Sequence, residues 1–164
     1  SRLKEVRSAM GGVIILTGSN GDLPHAQKIS ALLEELGVKS TMRIASAHKT
    51  PERLLEIIKE GEEVVFVTVA GRSNALSGLV DAQTPFPVIA SPPYSERFSG
   101  WDILSSLRMP SGVAPMVVLE PEGAALAAAK IIALKDEGVR ERVIRYQQRK
   151  REELIEADQE VSLG

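Results

Sequence analysis

Ser46-Ala47-His48-Lys49-Thr50-Pro51 is the stretch on which the reading of this chain turns. An apolar run ending at Ala45 reads as a strand, and Thr50-Pro51 reads as a helix N-cap followed by the first helical residue. The stretch is then a strand-to-helix turn that carries a base and a cation. Open α/β sheets bind their ligands at the carboxyl ends of strands. His48 and Lys49 sit at such a tip, which suits proton chemistry on an anionic substrate.

Outward from this turn, strands and helices alternate. Residues 12–17 are a continuous apolar run, expected to be a buried parallel strand, followed by Gly18-Ser19-Asn20-Gly21-Asp22. A helix is predicted over 23–36, with Ile29, Leu32, Leu33 and Leu36 on one face and Gly37 closing it. Residues 40–45 give the second strand, and a helix over 51–60 turns Leu54, Leu55 and Ile58 inward. Residues 64–70 form the strongest strand, ending in Gly71-Arg72-Ser73-Asn74 ahead of a helix over 75–82.

Pro85 and Pro87 bracket a break before a short strand over 87–90, and residues 91–100 read as a loop. A short helix is expected over 101–108, stopped before Pro110, and a fifth strand over 115–119. Residues 122–134 are alanine-rich and predict a helix buried against something close. Beyond Gly138 runs a long charged helix with a thin apolar stripe of Val139, Val143, Tyr146 and Leu154. The alternation predicts a single α/β domain over 1–164, a three-layer sandwich on a mostly parallel sheet of flavodoxin-like or Rossmann-like kind, plus the long C-terminal helix.

Composition narrows the function. The 164 residues are 43% hydrophobic and 26% charged, as expected of an ordered globular chain. A net charge of −2 argues against a general nucleic-acid binder. With no cysteine and two histidines, thiolate chemistry is excluded and a transition-metal site has little to stand on. No apolar run reaches the ~20 residues of a membrane helix, and the N-terminus shows no secretory h-region, so a cytoplasmic protein is expected.

In a parallel sheet the tips Gly18–Asp22, Ser46–Lys49 and Gly71–Asn74 converge on one edge. The glycines of the first permit close backbone approach, and the helix behind it offers free N–H groups to a phosphate. Asp22 suits ribose hydroxyls, or is simply an N-cap. Histidine exchanges a proton readily near neutrality, its ordinary pKa being about 6.5. His25, in the first turn of a helix, is read as an exposed polar residue. Gly71–Asn74 offers N–H and hydroxyl donors, or forms only a tight turn and cap. Glu120 and Glu122 read as charges at a helix start.

Together these residues resemble the 5-aminoimidazole ribonucleotide carboxylase (PurE) family of purine biosynthesis, over nearly the whole chain. Gly18-Ser19-Asn20-Gly21-Asp22 is similar to the family's G-S-x-S-D, with Gly21 where the family has its second serine. Ser46-Ala47-His48-Lys49 is similar to S-A-H-[RK]; Ala70-Gly71-Arg72-Ser73-Asn74 matches the third site loop, and residues 105–112 a downstream block. The mutase class of the family shows arginine after the motif histidine and a second histidine in an A-H-L-P-G segment. Lys49 and Ser73-Asn74-Ala75-Leu76-Ser77-Gly78 resemble instead the class that uses CO2 directly.

The resemblance implies carboxylation of aminoimidazole ribonucleotide by CO2 without ATP, biotin, metal or other cofactor. It implies His48 as the general base, with Ser19, Asp22, Gly18 and Gly21 on the ribose-phosphate, and Ser46 and Lys49 near the phosphate. Ala70, Gly71, Ser73 and Asn74 would hold CO2 and the new carboxylate. It further implies a homo-oligomer, an octamer first and a tetramer next, with the helix over about 138–160 at a subunit interface. The competing readings are a mutase acting on the N5-carboxylated substrate and a non-catalytic nucleotide-binding module.

Overall fold

The computed structural model describes residues 11–164. The first ten residues of the expected domain, with the h-region reading made on them, lie outside the described residues.

Strand β3 (Val65–Val69) is buried at every position, as a parallel strand covered on both faces must be. It lies at the centre of a sheet with β1 (Val13–Thr17), β2 (Ser40–Ile44), β4 (Val88–Ala90) and β5 (Met116–Val117). All pairings are parallel and the order is β2-β1-β3-β4-β5, so the direction of winding reverses between β1 and β3. This is the flavodoxin-like order, whose ligand crevice falls at that switch point.

The two-residue period of β3 divides the core. Val65, Val67 and Val69 face one layer, built from α1 (Leu23–Glu35), α4 (Pro121–Ile132) and the start of α5 (Glu137–Leu163). Phe66 faces the other, with Leu54, Ile57 and Ile58 of α2 (Pro51–Glu60) and Leu76 and Val80 of α3 (Ala75–Ala82). Phe66 has 0% exposure, so truncation to alanine would cost about 3–5 kcal/mol.

Helix α1 ends in a Schellman motif. Gly37 adopts φ +73°, Val38 N–H donates to Leu33 O at 2.8 Å and Gly37 N–H to Glu34 O at 2.9 Å. The buried Val38 and Leu33 supply the apolar contact that goes with it.

The alanine-rich helix finds its close neighbour inside the molecule. Ala124, Ala125, Ala128 and Ala129 are fully buried, and their small side chains let α4 approach α1 and β3. The close neighbour that the sequence called for is therefore internal for those four alanines. In α5, Val139 and Val143 join the core and Tyr146 packs against it, whereas Leu154 is 73% exposed. The stripe is therefore internal only over the first turns. Asp136 caps this helix by accepting from Val139 N–H at 3.0 Å.

Smaller differences have local causes. α4 begins at Pro121, which needs no N–H partner in the first turn, and stops at Ile132 rather than Leu134. The predicted strand over 115–119 pairs only at Met116 and Val117, and the helix over 101–108 is a 3₁₀ segment, Trp101–Ser106. β2 is an edge strand, with Met42 and Ile44 left 40% and 47% exposed.

Candidate functional site

Register fixes the convergence of the loops. Thr17 stands opposite Ile44 on one side and Val69 on the other. Gly18 N–H donates to Val69 O at 3.0 Å, and Ala45 N–H to Thr17 O at 3.0 Å. The tips of β2, β1 and β3 therefore leave the sheet side by side, bringing Ser46–Lys49, Gly18–Asp22 and Ala70–Asn74 to one edge. A Cβ built on Gly18 would lie 3.4 Å from Ala70 Cβ and 3.8 Å from Asp22 Oδ2, which shows how tightly the first and third loops meet.

In the first loop, the Ser19 hydroxyl donates to Asp22 Oδ2 at 3.1 Å. Asp22 precedes α1 but makes no side-chain cap bond, so the plain N-cap reading does not describe its side chain. Burial pushes its carboxyl above the ordinary range, opposed by the Ser19 bond and the His25 and Arg72 charges. The result is a half-buried carboxylate held beside Ser19 at the start of α1.

The second loop is closed on itself. Ser46 N–H donates to Thr50 Oγ1 at 2.9 Å, Thr50 Oγ1 donates to Ser46 O at 3.3 Å, and Lys49 N–H donates to Ser46 Oγ at 3.1 Å. Thr50 therefore holds the N-cap position without capping α2: its hydroxyl turns back to rigidify the loop. Ser46 Oγ keeps its own proton to donate. His48 and Lys49 project from this loop, exposed.

The third loop is stapled to the Trp101–Ser106 segment. Arg72 adopts φ +54°, uncommon for a residue with a side chain. Asp102 Oδ2 accepts from Arg72 N–H at 3.3 Å, and Ser105 Oγ donates to Arg72 O at 3.0 Å. Asn74 is 4% exposed: its Oδ1 accepts from Ser77 N–H at 3.3 Å and its Nδ2 donates to Ser106 Oγ at 2.7 Å. Its side chain is committed to capping and stapling, while Gly71 is partly exposed and Ser73 exposed.

His25 does not match the exposed polar residue expected of it. It is half-buried, its Nε2 lies 2.8 Å from Ser91 Oγ, and burial pushes its imidazole below the ordinary range. The pairings of Ser91 with His25 and of Asp102 and Ser105 with Arg72 join residues far apart in the chain, which no local pattern announces; the spacing of His25 three residues after Asp22 is the one local signal. Among the described residues, no group of three or more His, Cys, Asp or Glu could hold a metal ion. No helix among them is long and apolar enough to cross a membrane.

Fold and site together define a flavodoxin-like α/β protein whose three polar loops meet at the switch point of its sheet. The AIR carboxylase family profile matches residues 12–153. The chain is 62% identical to a phosphoribosylaminoimidazole carboxylase of Archaeoglobus fulgidus, covering 97% of this chain and 90% of that one. It is 39% identical to an N5-carboxyaminoimidazole ribonucleotide mutase of Methanocaldococcus jannaschii, covering 91% and 96%. The crystal structure of Treponema denticola PurE superposes with a TM-score of 0.87 at 46% identity, covering 90% of this chain and 96% of that one. The chain belongs to the AIR carboxylase family, and is an enzyme of purine biosynthesis.

Proposed function

We propose that this single-domain chain carboxylates 5-aminoimidazole ribonucleotide with CO2, giving 4-carboxy-5-aminoimidazole ribonucleotide. The observation that carries the reading is the meeting of three loops, one with a histidine, one with a Ser19–Asp22 pair and one with Gly71 and Ser73. The Asp22 carboxylate accepts the ribose hydroxyls, with Gly18, Ser19 and Gly21 along the ribose-phosphate. Ser46 Oγ–H and Lys49 bind the phosphate. Ala70, Gly71 and Ser73 position CO2, and Asn74 acts by holding that loop in place.

The amino group makes the substrate's ring an enamine, so its C4 is already nucleophilic. C4 attacks the carbon of CO2; one C–C bond forms and the electron pair of a C=O bond moves to oxygen, giving a carboxylate. C4 now bears both the carboxylate and its original proton. His48 removes that proton, and the C–H electron pair returns to the ring to restore aromaticity. General-base help of this kind is typically worth ~10²–10⁴-fold. Donors at Gly71 and Ser73 stabilise the charge that develops on CO2.

Lys49 and the histidine-free Ser73–Gly78 segment favour CO2 over the N5-carboxylated substrate of a mutase. A non-catalytic binding module would have no use for His48 at the tip. His48→Asn should therefore bind the ribonucleotide as the wild type does while losing about 10²-fold or more in turnover. Retained turnover would remove His48 from its role.

The crevice also needs a cover. His48 and Lys49 are exposed on the single chain, and an intermediate that can lose CO2 is best kept dry. Tyr94, Phe98 and Trp101 stand 73%, 65% and 68% exposed beside the third loop, and Leu154, Ile155 and Val161 stand 73%, 57% and 82% exposed on α5. These apolar surfaces support self-association, as an octamer first and a tetramer next. The cytoplasm, where purine intermediates are handled, is the proposed location.

A further inference from the structure

The site as described leaves one half-buried titratable group without a task. His25 Nε2 lies 2.8 Å from Ser91 Oγ, and the Ser91 hydroxyl donates to Leu119 O at 3.1 Å. Ser91 has 0% exposure and follows β4, with its own N–H given to Thr68 O at 2.8 Å. A hydroxyl has one proton, and Leu119 O takes it. The Ser91 oxygen can then only accept from His25, which assigns the imidazole proton to Nε2. The chain His25–Ser91–Leu119 thus binds the first turn of α1 to the tip of β4.

His25 stands three residues after Asp22, on the same face of the helix start. The groups that face it are Asp22, just before α1, and Lys28 within it, with Glu120, just before α4, and Glu122 in its first turn. Burial favours the neutral imidazole, and Lys28 adds to this; Asp22 and the two glutamates oppose it. A protonated His25 would carry a second N–H and a charge beside Asp22, competing with sugar hydroxyls for the carboxylate.

We propose that His25 is a positioning residue for the ribonucleotide, held neutral with its proton on Nε2 by Ser91 so that Asp22 stays available to the ribose hydroxyls. The inference rests on the proposed function for its substrate, yet the imidazole state and sugar-phosphate binding can be measured without turnover. Only two histidines occur, so heteronuclear NMR of His48→Asn reads His25 alone. The neutral ring should be protonated on Nε2. Ribose 5-phosphate, titrated by calorimetry, should bind about tenfold more weakly to His25→Ala than to the wild type, with His25→Gln recovering most of the loss because its amide N–H reaches Ser91. In turnover, His25→Ala should raise KM about tenfold with kcat within about twofold. As pH falls below the ordinary histidine value of 6.5, the wild-type KM should rise more steeply than that of His25→Gln, which has nothing to protonate there.

A ring protonated on Nδ1 would overturn the proposal. So would variants that lose thermal stability while KM, sugar-phosphate affinity and the pH profile stay at wild-type values, since that is the signature of a purely structural link. Absence of turnover in the wild type would defeat the proposed reaction, while NMR and ribose 5-phosphate binding would still decide the role of His25.

Discussion

The Asn74 amide donates to the Ser106 hydroxyl at 2.7 Å, joining residues 32 apart in the chain, while its carbonyl oxygen caps α3 through Ser77 N–H. One buried side chain thus fixes both the start of a helix and the loop over Ala70–Asn74. Asn74→Ala should remove the cap and strand the Ser106 hydroxyl, costing about 2–3 kcal/mol of stability. The urea midpoint should fall, and Ser106→Ala should lower it less. An unchanged midpoint would show that the staple does not hold the loop.

Asp22 couples stability to binding with a definite sign. Its carboxyl is pushed upward in the folded state, chiefly by burial. The folded state therefore holds this proton more tightly than the unfolded chain, and stability is greatest below the ordinary value of 3.8 and falls as pH rises through the raised value. At neutral pH the ionised group is a small liability, moderated by its partial exposure. Asp22→Asn should raise Tm at pH 7 by about 1–2 °C, with the gain vanishing toward pH 3, while weakening ribonucleotide binding. Scanning calorimetry at the two pH values checks the sign.

Much of this fold could be read from the chain because its signals are local. Gly37 marks the end of α1 with a positive φ, and Pro51 and Pro121 open helices where no N–H partner is needed. The unbroken apolar run of β3 requires cover on both faces, and parallel pairing then gathers the three loops. What could not be read depends on pairings across the sheet. His25 meets Ser91 66 residues away, and Asp102 meets Arg72 30 away. Nothing in the composition of α4 says that its alanines face α1 rather than another subunit. Thr50 has the right residue type for a cap, but Ser46 competes for its hydroxyl through the shape of the loop.

The exposed apolar residues of α5 carry the prediction on assembly. Glutamates at both Leu154 and Ile155 should leave the internal contacts of Val139 and Val143 intact, because the substituted positions lie beyond them. Light scattering should then change from an octamer to a smaller species, with helical content preserved. A wild-type protein that scatters as a monomer at micromolar concentration would contradict the proposed assembly.

The most direct test of the central claim is a choice of substrates offered to the purified protein. With aminoimidazole ribonucleotide and bicarbonate, the rate of 4-carboxy product formation should rise with dissolved CO2 and need no ATP. Fast turnover of the N5-carboxylated ribonucleotide alone, at a rate indifferent to CO2, would contradict the account and make the enzyme a mutase.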